Sequence, residues 1–243
     1  DEERIIKTLE DINKKLVEDI KRILDKVREL NERLADAIRK ILEETKRILE
    51  RTTRKVRKDG EISEELLRRL EEKLRKLLED LERVLREHED ESRRILEEVE
   101  RLLKRHKDRS KELLDRARDV KDRVKRDKEL VDRLKKLIDD SLESVRELIE
   151  RLKELLDRLV KSVEDLIRTI KELLDRLVEV LREVVSDKDT LRTVEKLVED
   201  VKRRLDKLLE DYKRLIEEVK KELDKLLKEY EDRLREIKKR IDE

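Results

Sequence analysis

Only two histidines occur in the 243 residues, His88 and His106. They lie eighteen positions apart, and each is followed one helical turn later by a serine, Ser92 and Ser110. These residue types bring two chemistries to mind. Histidine is a common zinc ligand, and a serine beside a histidine is the core of a hydrolytic nucleophile. Both readings fail on what accompanies the pairs. Zinc needs three or four His, Cys or carboxylate ligands converging on one point. Each level of the chain offers one histidine and no acidic partner on the same apolar stripe. A hydrolase needs an orienting acid, an oxyanion hole and a cleft, and a serine four residues after a histidine on a straight helix supplies none of them. No glycine-rich phosphate loop or cofactor motif occurs. The expectation is therefore no catalytic, metal or cofactor residue, and no enzyme. A neutral imidazole donates from one nitrogen and accepts at the other, so buried hydrogen bonding is the chemistry that remains.

The elements that must hold these residues are legible from composition and period. Charged residues make up 57% of the chain, Pro, Cys, Met, Trp and Phe are absent, and Gly occurs once. This is the vocabulary of long helices. Seventy basic and 69 acidic side chains are finely mixed, so neither nucleic acid nor a strongly charged partner is indicated. No apolar run approaches the roughly 20 residues that span a bilayer, and no targeting pattern is read, so localisation stays unassigned.

Apolar residues recur at steps of three and four along four segments, read as helices over about 2–58, 64–125, 128–185 and 190–242. The first carries Ile6, Leu9, Leu16, Ile20 and Leu24, with Asn13 and Asn31 on its stripe. Gly60 suits the left-handed position past a helix end, Ser63 suits an N-cap, and Ile62 and Leu67 flank it as a hydrophobic staple. The second helix carries both His–Ser pairs. A weaker break follows at Lys125-Arg126-Asp127. The third runs through Leu134, Ile138, Val145, Leu148, Leu155, Leu159, Leu173 and Leu177. Its Lys153–Val160 octet recurs unchanged as Lys171–Val178. Ser186-Asp187-Lys188-Asp189 closes it, and the fourth helix carries the only aromatics, Tyr212 and Tyr230. The shift is eighteen residues again, five turns, so nearly straight helices on the order of 85 Å are expected.

Each helix thus bears an eighteen-spaced polar pair: Asn13/Asn31, His88-Ser92/His106-Ser110, Ser144/Ser162 and Tyr212/Tyr230. Level partners in an antiparallel hairpin lie equally far from the turn between them. Matching Asn13 with the His106–Ser110 midpoint centres a turn near 60. Matching Ser144 with that midpoint centres one near 126, and Ser144 with Tyr230 centres one near 187. These are the turns already read from cap chemistry. The expected architecture is all-α: a single up-down-up-down antiparallel four-helix bundle over 1–243. It has two polar layers, Asn13, His106, Ser110, Ser144 and Tyr230 in one, and Asn31, His88, Ser92, Ser162 and Tyr212 in the other. One repeat further, Leu49, Leu70, Leu74, Val180 and Val194 are all apolar. Ser141, Thr45 and Thr169 lack repeat partners and are given only a minor polar role.

Copied segments, minimal turns, a Leu/Ile/Val core and discrete polar layers resemble de novo designed helical bundles with modular buried hydrogen-bond networks. The resemblance implies a scaffold whose layers fix helix registry, without natural activity and as a monomer needing no cofactor or partner. Two further functions fit the same residues. The hairpins could act as a separable helix-pairing module, or burial of the histidines could make stability depend on pH.

Overall fold

The computed structural model describes residues 2–123 and 128–242 and contains four helices: α1 (Glu2–Asp59), α2 (Glu64–Arg123), α3 (Lys128–Val184) and α4 (Lys188–Asp242). The turn expected near residue 126 lies outside the described residues. Each helix buries one stripe of Leu, Ile and Val and turns its charged faces to solvent. The helices assemble as a four-helix bundle.

Local chemistry explains where the helices stop. Gly60 has φ +71°, the left-handed conformation in which a side chain is strained. Its N–H donates to the Val56 carbonyl at 2.8 Å, closing the last turn of α1. The Ser63 hydroxyl accepts the Leu66 N–H at 3.2 Å, capping α2. Asp187 caps α4, accepting the Asp189 N–H at 3.1 Å and the Thr190 hydroxyl at 2.8 Å. Gly60→Ala and Ser63→Ala are each expected to cost about 1 kcal/mol. Denaturant unfolding checks this as a lower midpoint at unchanged slope, with Ser162→Ala on an exposed face as the silent control.

The chain divides into two compact units. Unit 1 comprises Asp1–Glu29, Glu91–Leu156 and Glu217–Glu243; unit 2 comprises Leu30–Asp90 and Asp157–Ile216. Each contains a piece of all four helices.

Surface grooves and ion pairs give the helix order around unit 1. α1 and α2 share the groove lined by Lys15, Asp19, Arg105 and Arg109. α2 and α4 share one lined by Lys104, Lys107, Glu229 and Arg233. α1 and α3 share one lined by Lys14, Glu18, Asp140 and Ser144. α3 and α4 are joined by Lys238–Asp139, Arg146–Glu231 and Lys153–Asp224. The order around unit 1 is therefore α1, α2, α4, α3. Two antiparallel hairpins lie side by side, with α2 against α4 and α1 against α3.

The α3–α4 ion pairs keep one register. From Asp139 to Arg146 to Lys153 is seven residues at each step, and Lys238, Glu231 and Asp224 step back equally. In unit 2, Glu164–Lys213, Lys171–Asp206, Asp175–Lys202 and Arg182–Glu195 obey the same rule. Most of these pairs lie at the surface in contact with solvent, so they add little to stability. Their value is directional, because a slip of one turn removes them together.

The buried face of α3 follows the expected stripe at Leu134, Ile138, Val145, Leu148, Leu159 and Leu177 and departs from it at Leu155 and Leu173. Leu130, Leu156 and Leu174 are buried, whereas Val131, Leu155 and Leu173 are only half-buried. α3 has apolar neighbours in adjacent positions, and two overlapping stripes fit its sequence.

Candidate functional site

α2 presents His106 to the interior of unit 1 at a position where the flanking turns bury Leu102, Leu103 and Leu113. The imidazole is 5% exposed. Asn13 of α1 reaches it from one side and Tyr230 of α4 from the other. The Asn13 amide donates through Nδ2 to the Leu137 carbonyl of α3 at 3.1 Å. That bond fixes the amide, because a flipped Asn13 would set two carbonyl oxygens against each other. Oδ1 is then the atom 3.2 Å from His106 Nε2, and it also accepts the Ser141 hydroxyl at 2.6 Å. A carbonyl oxygen only accepts, so Nε2 must carry the proton. The opposite nitrogen, Nδ1, holds a lone pair and accepts the Tyr230 hydroxyl at 2.7 Å. One neutral tautomer thus satisfies all four residues, which come from all four helices.

Burial dominates the electrostatics. Loss of hydration lowers the pKa of His106 from 6.5 to about 4, and that of His88 equally. The same cause raises both tyrosine pKa values, with the Ser141 hydroxyl partly opposing it at Tyr230. No group of three or more His, Cys, Asp or Glu that could hold a metal occurs among the described residues.

In unit 2, His88 and Tyr212 form the corresponding pair. The Tyr212 hydroxyl is 3.4 Å from His88 Nδ1, at the long limit of a hydrogen bond, with the rings edge to face at 6.0 Å. Both residues are buried and Asn31 is half-buried. Their sequence separation, 124, equals that of His106 and Tyr230.

The serines divide the expected set. Ser144 is half-buried on the wall of the α1–α3 groove, and Ser162 is exposed, donating to the Arg158 carbonyl at 3.1 Å. The serine that joins His106, Asn13 and Tyr230 is Ser141. Its eighteen-residue equivalent is the buried Leu159, so unit 2 lacks that hydroxyl. Ser144 and Ser162 share the eighteen-residue spacing and Ser141 does not, although Ser141 falls at a three-residue step after Ile138. Ser110 is buried in unit 1, but its hydroxyl meets no hydrogen-bond partner there. Ser92 is also buried. Leu49, Leu70, Leu74 and Val194 are buried, and Val180 is half-buried on the same α3 track as Ser144 and Ser162. Thr45 and Thr169 bond the carbonyls of Ile41 and Asp165 on their own helices.

Tyr230→Phe is expected to cost about 1–3 kcal/mol, because it leaves His106 Nδ1 buried without its donor. Tyr212→Phe is expected to cost less, since the bond it removes is already long. Paired denaturant melts of the two variants check the inequality.

No protein-family model matches the chain, and no curated protein matches it. Among solved structures it is similar to a computationally designed three helix bundle, at 19% identity and TM-score 0.25, covering 98% of this chain and 92% of that one. It is also similar to a structure described as computational design of self-assembling cyclic protein homooligomers, at 14% identity and TM-score 0.18, covering 100% and 99%. A third is a de novo designed helical repeat protein, at 24% identity and TM-score 0.19, covering 85% and 99%. At these scores the likeness extends no further than long packed helices. No described helix is long and apolar enough to cross a membrane.

Proposed function

We propose that the chain is a designed scaffold, one domain over residues 1–243 and a monomer without natural activity, whose buried polar residues fix the register of one hairpin on the other. Its design origin rests on the sequence: verbatim copied segments and an alphabet without Pro, Cys, Met, Trp or Phe. The observation that carries the registry role is the recurrence of one buried His–Tyr pair, at one sequence offset, between α2 and α4 in each unit. The short turns at residues 60 and 187 already restrict sliding within each hairpin. The His–Tyr pairs cross from one hairpin to the other, where a slip would break them. A slip of one turn would set both histidines against leucine, at about 1–3 kcal/mol for each stranded polar group. Apolar replacement of a satisfied polar layer is often neutral or stabilising, so the benefit is specificity.

The test replaces His88, His106, Tyr212 and Tyr230 together by leucine and measures spin-label distances between α2 and α4. The parent should give one narrow distance and the variant several, at equal or higher stability. One narrow distance in both would defeat the registry reading. Light scattering tests the monomer separately.

A second reading is a helix-pairing module of two separable hairpins. The side-by-side order of α2 with α4 and of α1 with α3 in unit 1 favours it. So do the ion pairs of α3 with α4, which join helices within one hairpin, while Asn13–Ser141 and His106–Tyr230 are uncharged contacts between hairpins. Inserting a protease site within 124–127, cutting the folded protein and offering each half a scrambled competitor tests it. Indifference of the halves to the competitor would end this reading.

A further inference from the structure

The hydrogen bond from Tyr230 to His106 has a use unrelated to registry. We propose that Tyr230 is a proton-coupled redox site: an outer-sphere one-electron oxidant takes an electron from its ring while its phenolic proton passes to His106 Nδ1. The products are a neutral phenoxyl radical and an imidazolium. The O–H bond of Tyr230 breaks, an N–H bond forms on the lone pair of Nδ1, and the electron leaves with the oxidant. Re-reduction returns the proton along the same 2.7 Å path.

Four observations carry this. The acceptor is prepared before oxidation, because Asn13 holds the Nε2–H tautomer and so leaves Nδ1 unprotonated. The imidazolium is received in the same geometry, since its Nε2–H still points at Asn13 Oδ1. Tyr230 is 2% exposed, so water is a poor competitor for the proton. The chain also contains no Trp, Cys or Met, leaving Tyr212 as the other readily oxidised side chain. In the α2–α4 groove of unit 1, Tyr230 lies between Lys104, Lys107 and Arg233 on one account and Glu100 and Glu229 on the other. Cations outnumber anions there, so the groove favours an anionic oxidant such as hexachloroiridate(IV).

The second pair is an internal control. Tyr212 and His88 have the same residue types and comparable burial, but their O···N distance is 3.4 Å. Proton transfer to a positioned base contributes about 10²–10⁴-fold to a rate, and it depends on hydrogen-bond reach. The full-length Tyr212→Phe and Tyr230→Phe proteins each retain one tyrosine. Mixed with hexachloroiridate(IV) in a stopped-flow instrument, the Tyr212→Phe protein should form the phenoxyl radical at least about tenfold faster. Its rate should show a primary solvent deuterium effect, and high-field paramagnetic resonance should show the low g-value of a hydrogen-bonded phenoxyl. Adding His106→Leu to it should slow oxidation by about a hundredfold. If that double variant loses helicity, the deuterium effect and the g-value on the folded Tyr212→Phe protein decide alone. Equal rates for the two single-tyrosine proteins, absence of the deuterium effect, or a g-value typical of a free phenoxyl would overturn the proposal.

Discussion

Lowering the pH from 7.5 to 5 is expected to remove about 4 kcal/mol of stability through the two histidines alone. Burial drops both from 6.5 to about 4 in the folded protein. Above pH 7 they are neutral in both states and stability is flat. Between 6.5 and about 4 the unfolded chain binds two protons that the folded chain refuses, so stability falls as pH falls. Below about 4 both states are protonated and the histidine contribution is spent. One pKa unit is worth 1.36 kcal/mol, which gives roughly 3 kcal/mol for each residue at the acid limit if the two act independently. Denaturant midpoints at pH 7.5, 6 and 5 measure this, with His88→Leu/His106→Leu subtracting the carboxylates. Equal midpoints after that subtraction would contradict the burial. At the alkaline end the sign reverses its group. Both tyrosine pKa values are raised by burial, so their contribution is present below pH 10 and lost above it.

The second large effect distinguishes two neighbouring leucines of α3. Leu174 is fully enclosed in unit 2, while Leu173 is half-buried. Leu174→Ala is expected to cost about 2–5 kcal/mol, the transfer loss plus a cavity that rigid helices close poorly. Leu173→Ala should cost less than about 1.5 kcal/mol, because water already reaches its position. Paired thermal or denaturant melts read the difference. An equal loss at both positions would mean that α3 is rotated between the two stripes.

That pair also marks where the sequence became ambiguous. The four helices were legible because apolar steps of three and four persist and because Gly60, Ser63 and Asp187 carry end chemistry that any reader of caps recognises. His88, His106, Tyr212 and Tyr230 were legible as buried groups from their place on the stripes. The face of α3 was legible except at Leu155-Leu156 and Leu173-Leu174, where adjacent leucines offer two choices and the neighbouring helices decide. Ser141 was undervalued because it has no polar partner eighteen residues on, although its three-residue step after Ile138 places it on the buried stripe. Helix order was hidden too. Level matching tells which residues share a height, and a square of four helices has the same heights whichever pairs are neighbours.

The uniform register of the α3–α4 ion pairs carries a consequence for how the hairpin zips. Partner separation along the chain grows from 13 at Arg182–Glu195 through 35 at Lys171–Asp206 and 71 at Lys153–Asp224 to 99 at Lys238–Asp139. That is nearly three doublings, or about 2 kcal/mol of added closure entropy if the outer contacts form first. Contacts beside the turn should therefore nucleate α3–α4 pairing, and the rest should follow outward. Leu181→Ala, close to that turn, should mainly slow folding, and Leu152→Ala should mainly speed unfolding. The two arms of a chevron plot separate these effects. One turn and a row of charges in register would then give this hairpin a direction in time as well as a fixed alignment.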